Sequence, residues 1–163
     1  MTAQVAPSIL SADFSRLGAQ VDEVIAAGAT VIHVDVMDGH FVPPLSMGPQ
    51  VVSALRDREV HLDVHLMIER PERQIADFLK AGADTITVHA EATPHLDYAV
   101  NQIRDAGCKA GIAVCPSTPW WPQTDVDLAL CMTVNPGWGG QRFIASSPEK
   151  IARMRAQLGD DVI

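Results

Sequence analysis

The sequence predicts an α/β fold of the (β/α)8 TIM-barrel type, and three observations carry that expectation. Short β-branched runs alternate with amphipathic stretches along the 163 residues. The segment AGATVIHVD at residues 27–35 returns as AGADTITVH at 81–89, an offset of 54 that fits two successive β/α units, and AGCKAGIAV at 106–114 is a looser third copy. No G-x-G-x-x-G turn follows the first apolar run. Repetition without that turn favours a barrel over a doubly wound sheet.

Taken in order, strands are expected at residues 5–9, 31–36, 60–66, 84–89, 109–114 and 128–134, with helices at 16–26, 49–56, 72–80, 94–106 and 148–158. Gly28, Gly82 and Gly107 stand where a left-handed residue closes a helix. The connection PSTPWWPQTD before the sixth strand holds Pro116, Pro119 and Pro122. Proline lacks an N–H and clashes inside a helix, so a turn or a 3₁₀ piece is expected there. Trp120 and Trp121 in the same stretch are expected to cover a hydrophobic edge. Six strands make about six of eight β/α units, so strands seven and eight are expected to be absent from a single partial barrel domain spanning residues 1–163. Open edges of that kind would be covered by a partner, a homo-oligomeric copy or further chain.

Composition narrows the function. With 12 Lys+Arg against 20 Asp+Glu the net charge is -8, the wrong sign for binding nucleic acid through its phosphates. The start MTAQVAPSILSADFS lacks a basic segment followed by an apolar one, and no apolar run approaches the length of a membrane span. Three cysteines, Cys108, Cys115 and Cys131, without C-x-x-C spacing fit reduced, buried thiols in a cytoplasmic protein.

Chemistry concentrates in two strands. Residues i and i+2 of a strand share a face, so His33, Asp35 and Met37 form one column and Asp63, His65 and Met67 another. Neighbouring strands would bring imidazoles and carboxylates together at the C-terminal ends, where barrel enzymes carry their sites, and the set suits one divalent ion. The same spacing also fits hydrogen-bonded core histidines with Asp35 and Asp63 capping loops. Met37 and Met67 would then fill core space. After the sixth strand, MTVNPGWGGQRF offers Gly137, Gly139 and Gly140, whose backbone N–H groups could cradle a phosphate or form an ordinary turn.

The blocks APSILSADFSRLG, HVDVMDGHFVP, LDVHLMIERPE, TVHAEA and MTVNPGWGGQRF, in this order from Ala6 to Phe143, resemble the ribulose-phosphate 3-epimerase family. That resemblance implies a (β/α)8 barrel and an isomerase of the pentose phosphate pathway. It also implies one divalent metal (zinc, iron, manganese or cobalt) held by two histidines and two aspartates. Three ligands map onto His33, Asp35 and His65, and Asp35 maps onto the base that removes the C3 proton of the sugar phosphate. Ser8 and His65 map onto substrate contacts, Met37, Met67 and Met132 onto residues lining the reacting carbons, and Gly137, Trp138, Gly139 and Gly140 onto the phosphate loop. Asp63 is assigned an orienting role, whereas Asp13, Asp38 and His89 are read as turn or core residues.

In the family the second aspartate lies in an EVDGG-type segment on strand seven, and this chain stops as that strand begins. Asp160 and Asp161 precede it and fall at its far end, about 17 Å from the chemistry. The expected activity is interconversion of D-ribulose 5-phosphate and D-xylulose 5-phosphate. Alternatives are a related ketose phosphate such as D-allulose 6-phosphate, an inert fragment of the family, and a scaffold whose histidine columns are structural.

Overall fold

A computed structural model describes residues 4–122 and 124–163. Its strands are β1 (Val31–Met37), β2 (His61–Met67), β3 (Thr85–His89), β4 (Lys109–Val114) and β5 (Leu128–Cys131). They form one parallel sheet in the order β1-β2-β3-β4-β5. The helices are α1 (Leu17–Ala26), α2 (Pro49–Leu55), α3 (Ile75–Ala81), α4 (Leu96–Asp105) and α5 (Ser147–Leu158). This is the strand–helix alternation read from the sequence, and it is compatible with part of a barrel.

The two faces of the sheet differ because side chains alternate along a strand. Ile32, Val34, Val36, Leu62, Val64, Leu66, Ile86, Val88 and Ile112 are buried in one core with Val21, Val52, Leu55, Ile75, Phe78 and Ile103 of the helices. Each such side chain contributes about 1.5–3 kcal/mol by leaving water. The opposite face carries the polar residues His33, Asp35, Asp63, His65, Thr85, Thr87 and His89. Gly111 sits on that face because a Cβ there would fall on Thr87 Oγ1 and lie 3.2 Å from Leu128 Cδ2.

Several sequence expectations change. The strand expected at 5–9 is a single parallel bridge between Ser8 and His33, so five strands are described rather than six. His33 N–H donates to Pro7 O at 2.9 Å, but Ser8 Oγ then accepts from Leu10 N and turns the chain into a 3₁₀ turn at Ile9–Ser11. The helix expected at 72–80 is split into a 3₁₀ turn at Pro71–Arg73 and α3. The break falls at Gln74, whose φ of -121° and ψ of -13° lie outside the helical region.

The sixth expected strand stops at Cys131, short of 134. Cys108, Cys115 and Cys131 are only half-buried, since each lies near a strand end and not in its middle. Trp120 packs on the core edge, whereas Trp121 is exposed. The proline-rich connection has a turn near Pro116 and no helix among the described residues; Gln123 within it and residues 1–3 lie outside them. No helix among the described residues is long and apolar enough to cross a membrane.

Candidate active site

Parallel register decides which polar groups meet. His33 lies opposite Asp63, Asp35 opposite His65, and Met37 opposite Met67. His33 Nδ1 is 2.8 Å from Asp63 Oδ2, while its Nε2 is 3.3 Å from Asp35 Oδ1. His65 Nδ1 approaches the same Asp35 oxygen to 3.2 Å. His33, Asp35 and His65 thus offer three ligand atoms within 4.8 Å of one another. Two imidazoles and a carboxylate at that spacing are a suitable donor set for a divalent cation. The second oxygen of Asp63, Oδ1, is buried without a partner among the described residues and adds negative character behind His33.

The electrostatics follow from this geometry. Burial works against a charged His33, but its hydrogen bonds to Asp35 and Asp63 prevail and raise its pKa from 6.5 to about 10. Burial likewise opposes ionisation of Asp35, yet the hydrogen bond and charge of His33 hold the carboxyl well below the usual carboxylate range. His65 is fully buried, and desolvation lowers it to about 4 despite Asp35, so it is a neutral imidazole. A cation entering the cluster would therefore displace a proton from His33.

Ser8 completes this end of β1 by donating from Oγ to Asp35 Oδ2 at 2.5 Å. Ser46, which the sequence reading did not single out, donates to Asp35 O at 2.6 Å and accepts from Met37 N at 2.9 Å. It fixes the backbone on either side of Val36. Met37 and Met67 are buried together with Val42 in a small apolar cluster apart from the main core. Met132 is half-buried and belongs to neither cluster.

The glycine loop after β5 is open to solvent around Trp138, Gly139 and Gly140. Gly137 is buried with φ 118°, and a Cβ on it would lie 3.1 Å from Val42 Cβ. That contact ties the loop to the segment after β1. Gln141 holds the loop's shape, donating from Nε2 to Asn135 O at 2.6 Å and to Trp138 O at 2.8 Å.

His89 is a core residue, as read from the sequence, and it also reaches the cluster. Its ring is wholly buried, and its Nε2 lies 2.9 Å from His65 Nε2. Its Nδ1 faces Glu91 Oε2 at 3.3 Å and Cys115 Sγ at 3.6 Å. Burial resists ionisation of Glu91, but hydrogen bonds from His89 and the Cys115 N–H bring its pKa down to about 2. Asp13 and Asp38 do shape turns: Asp13 accepts from Ser15 N, and Asp38 accepts from His40, Phe41 and Glu69 N–H groups.

A sequence profile described as the ribulose-phosphate 3 epimerase family matches residues 4–162. The chain belongs to that family. Among its relatives is the ribulose-phosphate 3-epimerase of Bacillus subtilis (strain 168), 52% identical over 157 residues, covering 93% of this chain and 72% of that protein. The Synechocystis ribulose-phosphate 3-epimerase is 54% identical over 93% of this chain and 68% of its own length. The chloroplastic ribulose-5-phosphate-3-epimerase of Arabidopsis thaliana is 53% identical over 96% of this chain and 58% of its own length. A solved structure of Yersinia pestis DHPS with a pterine-sulfa conjugate shares the fold, with TM-score 0.51 and 19% identity over 72% of this chain and 45% of that one.

Proposed function

We propose that this member of the ribulose-phosphate 3-epimerase family interconverts D-ribulose 5-phosphate and D-xylulose 5-phosphate at the His33–Asp35–His65 cluster, on a sheet that forms part of a (β/α)8 barrel. The observation that carries the reading is Asp35: one of its oxygens faces both His33 and His65, and the other accepts from Ser8. The C3 proton of the ketose phosphate lies next to the C2 carbonyl and is acidified by it. Asp35, held ionised, takes that proton and leaves an enediolate.

His33, Asp35 and His65 would hold one divalent cation (zinc, iron, manganese or cobalt), which when bound supplies a Lewis acid beside the oxygens where charge develops. His33 keeps a proton on Nδ1 for Asp63 and presents Nε2 to the cluster. Met37, Met67 and Met132 give the reacting carbons an apolar lining, and Ser8 and His65 contact the sugar. Backbone N–H groups of Gly137, Trp138, Gly139 and Gly140 receive the phosphate.

The test is exchange of the C3 proton in deuterated water with Zn²⁺ or Mn²⁺ present, together with inversion at C3 read by NMR. Exchange reports Asp35 alone, and inversion needs a second acid on the opposite face. Exchange with D-ribulose 5-phosphate is expected, falling at least about 100-fold in Asp35→Asn. Exchange that survives this substitution, or a strong preference for D-allulose 6-phosphate, would overturn the assignment of base or of substrate.

A further inference from the structure

We infer that Glu91 and His89 form a positioning relay behind His65, which sets the tautomer of that imidazole and aims its Nδ1 lone pair into the Asp35 cluster. The inference rests on the proposed cation at that cluster. His65 and His89 belong to adjacent strands, with His65 opposite Thr87, so His89 meets it on the diagonal. Their nitrogens are 2.9 Å apart, with ring centroids at 5.0 Å and planes inclined by 25°, so the rings meet edge to edge. Only one proton fits between them, and the direction of that hydrogen bond has two possibilities.

Glu91 decides between them. Its carboxylate can only accept: Oε1 takes the Cys115 N–H at 2.7 Å and Oε2 faces His89 Nδ1 at 3.3 Å. His89 therefore carries its proton on Nδ1, and its Nε2 is a lone pair. His65 must then donate from Nε2, which leaves Nδ1 unprotonated and 3.2 Å from Asp35 Oδ1. Two acceptors facing each other at that distance repel unless a cation lies against both. The opposite polarity would set a lone pair of His89 against the Glu91 anion, relieved only by the weak Cys115 S–H donor at 3.6 Å. The chain Glu91–His89–His65 thus prepares a neutral ligand from inside the sheet, as Asp63 does for His33. His65 and His89 are both buried, so water does not replace the bond between them.

Glu91→Gln tests the relay because an amide has one acceptor oxygen and cannot serve both the Cys115 N–H and His89. Co²⁺ affinity is measured against a competing chelator, with the Co²⁺ absorption spectrum, and ¹⁵N NMR reads the histidine tautomers. Glu91→Gln is expected to weaken Co²⁺ binding about 10- to 100-fold and to alter the spectrum. His89→Gln, which keeps an acceptor for His65, should lose less, and adding Glu91→Gln to it should cost little more. Wild-type protein that takes up no Co²⁺, or His33→Ala protein that binds it as well, overturns the cation site and the relay with it. Wild-type binding abolished in His33→Ala but unchanged in affinity and spectrum in folded Glu91→Gln and His89→Gln overturns the relay alone.

Discussion

β2 and β5 are both parallel strands of one sheet, yet they are held in different ways. β2 is paired on both sides, and every residue after His61 is buried. β5 pairs with β4 on one side, is half-exposed throughout, and on its other side is hydrogen-bonded among the described residues to the backbone of Ile163. Of the candidate cation ligands, His65 lies on β2, which has a partner strand on each flank, while His33 and Asp35 lie on β1, paired with β2 and bridged to Ser8. The candidate phosphate loop follows the looser strand and keeps its shape through local bonds from Gln141. The side-chain separations of the candidate cation site come from the β1–β2 register, whereas the candidate phosphate loop relies on its own backbone and on Gln141.

Core truncation should expose this difference most strongly. Leu66→Ala, at a fully buried position of β2, is expected to cost about 2–5 kcal/mol in urea unfolding, whereas Leu128→Ala in half-exposed β5 should cost about 1 kcal/mol. Equal losses would erase the distinction. The next effect is acid sensitivity at the join of β3 and β4. Glu91 has its pKa lowered from 4.5 to about 2 in the folded protein. Its contribution is present above pH 4.5 and lost as pH falls through 2. After screening by the solvent that reaches this partly exposed carboxylate, about 1–2 kcal/mol should disappear in that window for the wild type and be missing from Glu91→Gln. Equal acid unfolding profiles would count against the bond network around Glu91.

Gly111→Ala probes close approach on the polar face of the sheet. The added methyl would fall on Thr87 Oγ1 and lie 3.1 Å from Thr87 Cβ, so about 1–3 kcal/mol of destabilisation is expected by thermal unfolding. A neutral result would mean that this face has slack. The smallest stability effect belongs to Gln141→Ala, under about 1 kcal/mol because the site is solvent-facing. Its consequence should appear as a raised KM for the phosphorylated substrate with stability nearly intact. A large drop in stability would show that the loop is part of the packed structure.

How much of this could be read from the residues depends on which interaction is local. Strand alternation, helix-closing Gly82 and the His33–Asp35 and Asp63–His65 columns follow from period and spacing. Losing the strand at 5–9 came from Ser8 bonding the N–H two residues on, a competition between local turn and ladder that β-branched content does not reveal. His89 was within reach. The 54-residue repeat sets it at the position equivalent to Asp35, at the mouth of its strand. His89 is core, as its wholly buried ring shows, but only the repeat's register would have set it beside His65.

By itself the sequence determined the alternating architecture and the family, and it named the candidate residues for a cation and a sugar phosphate, because periodicity and motif order are properties of the chain. Tertiary structure alone decided which nitrogen faces which oxygen: Asp63 behind His33, and Glu91 and His89 behind His65. Those pairings join residues 24 to 30 positions apart or link a strand to its exit loop. They are fixed by strand register and burial, which strip away water and leave each polar atom to find its partner across the sheet.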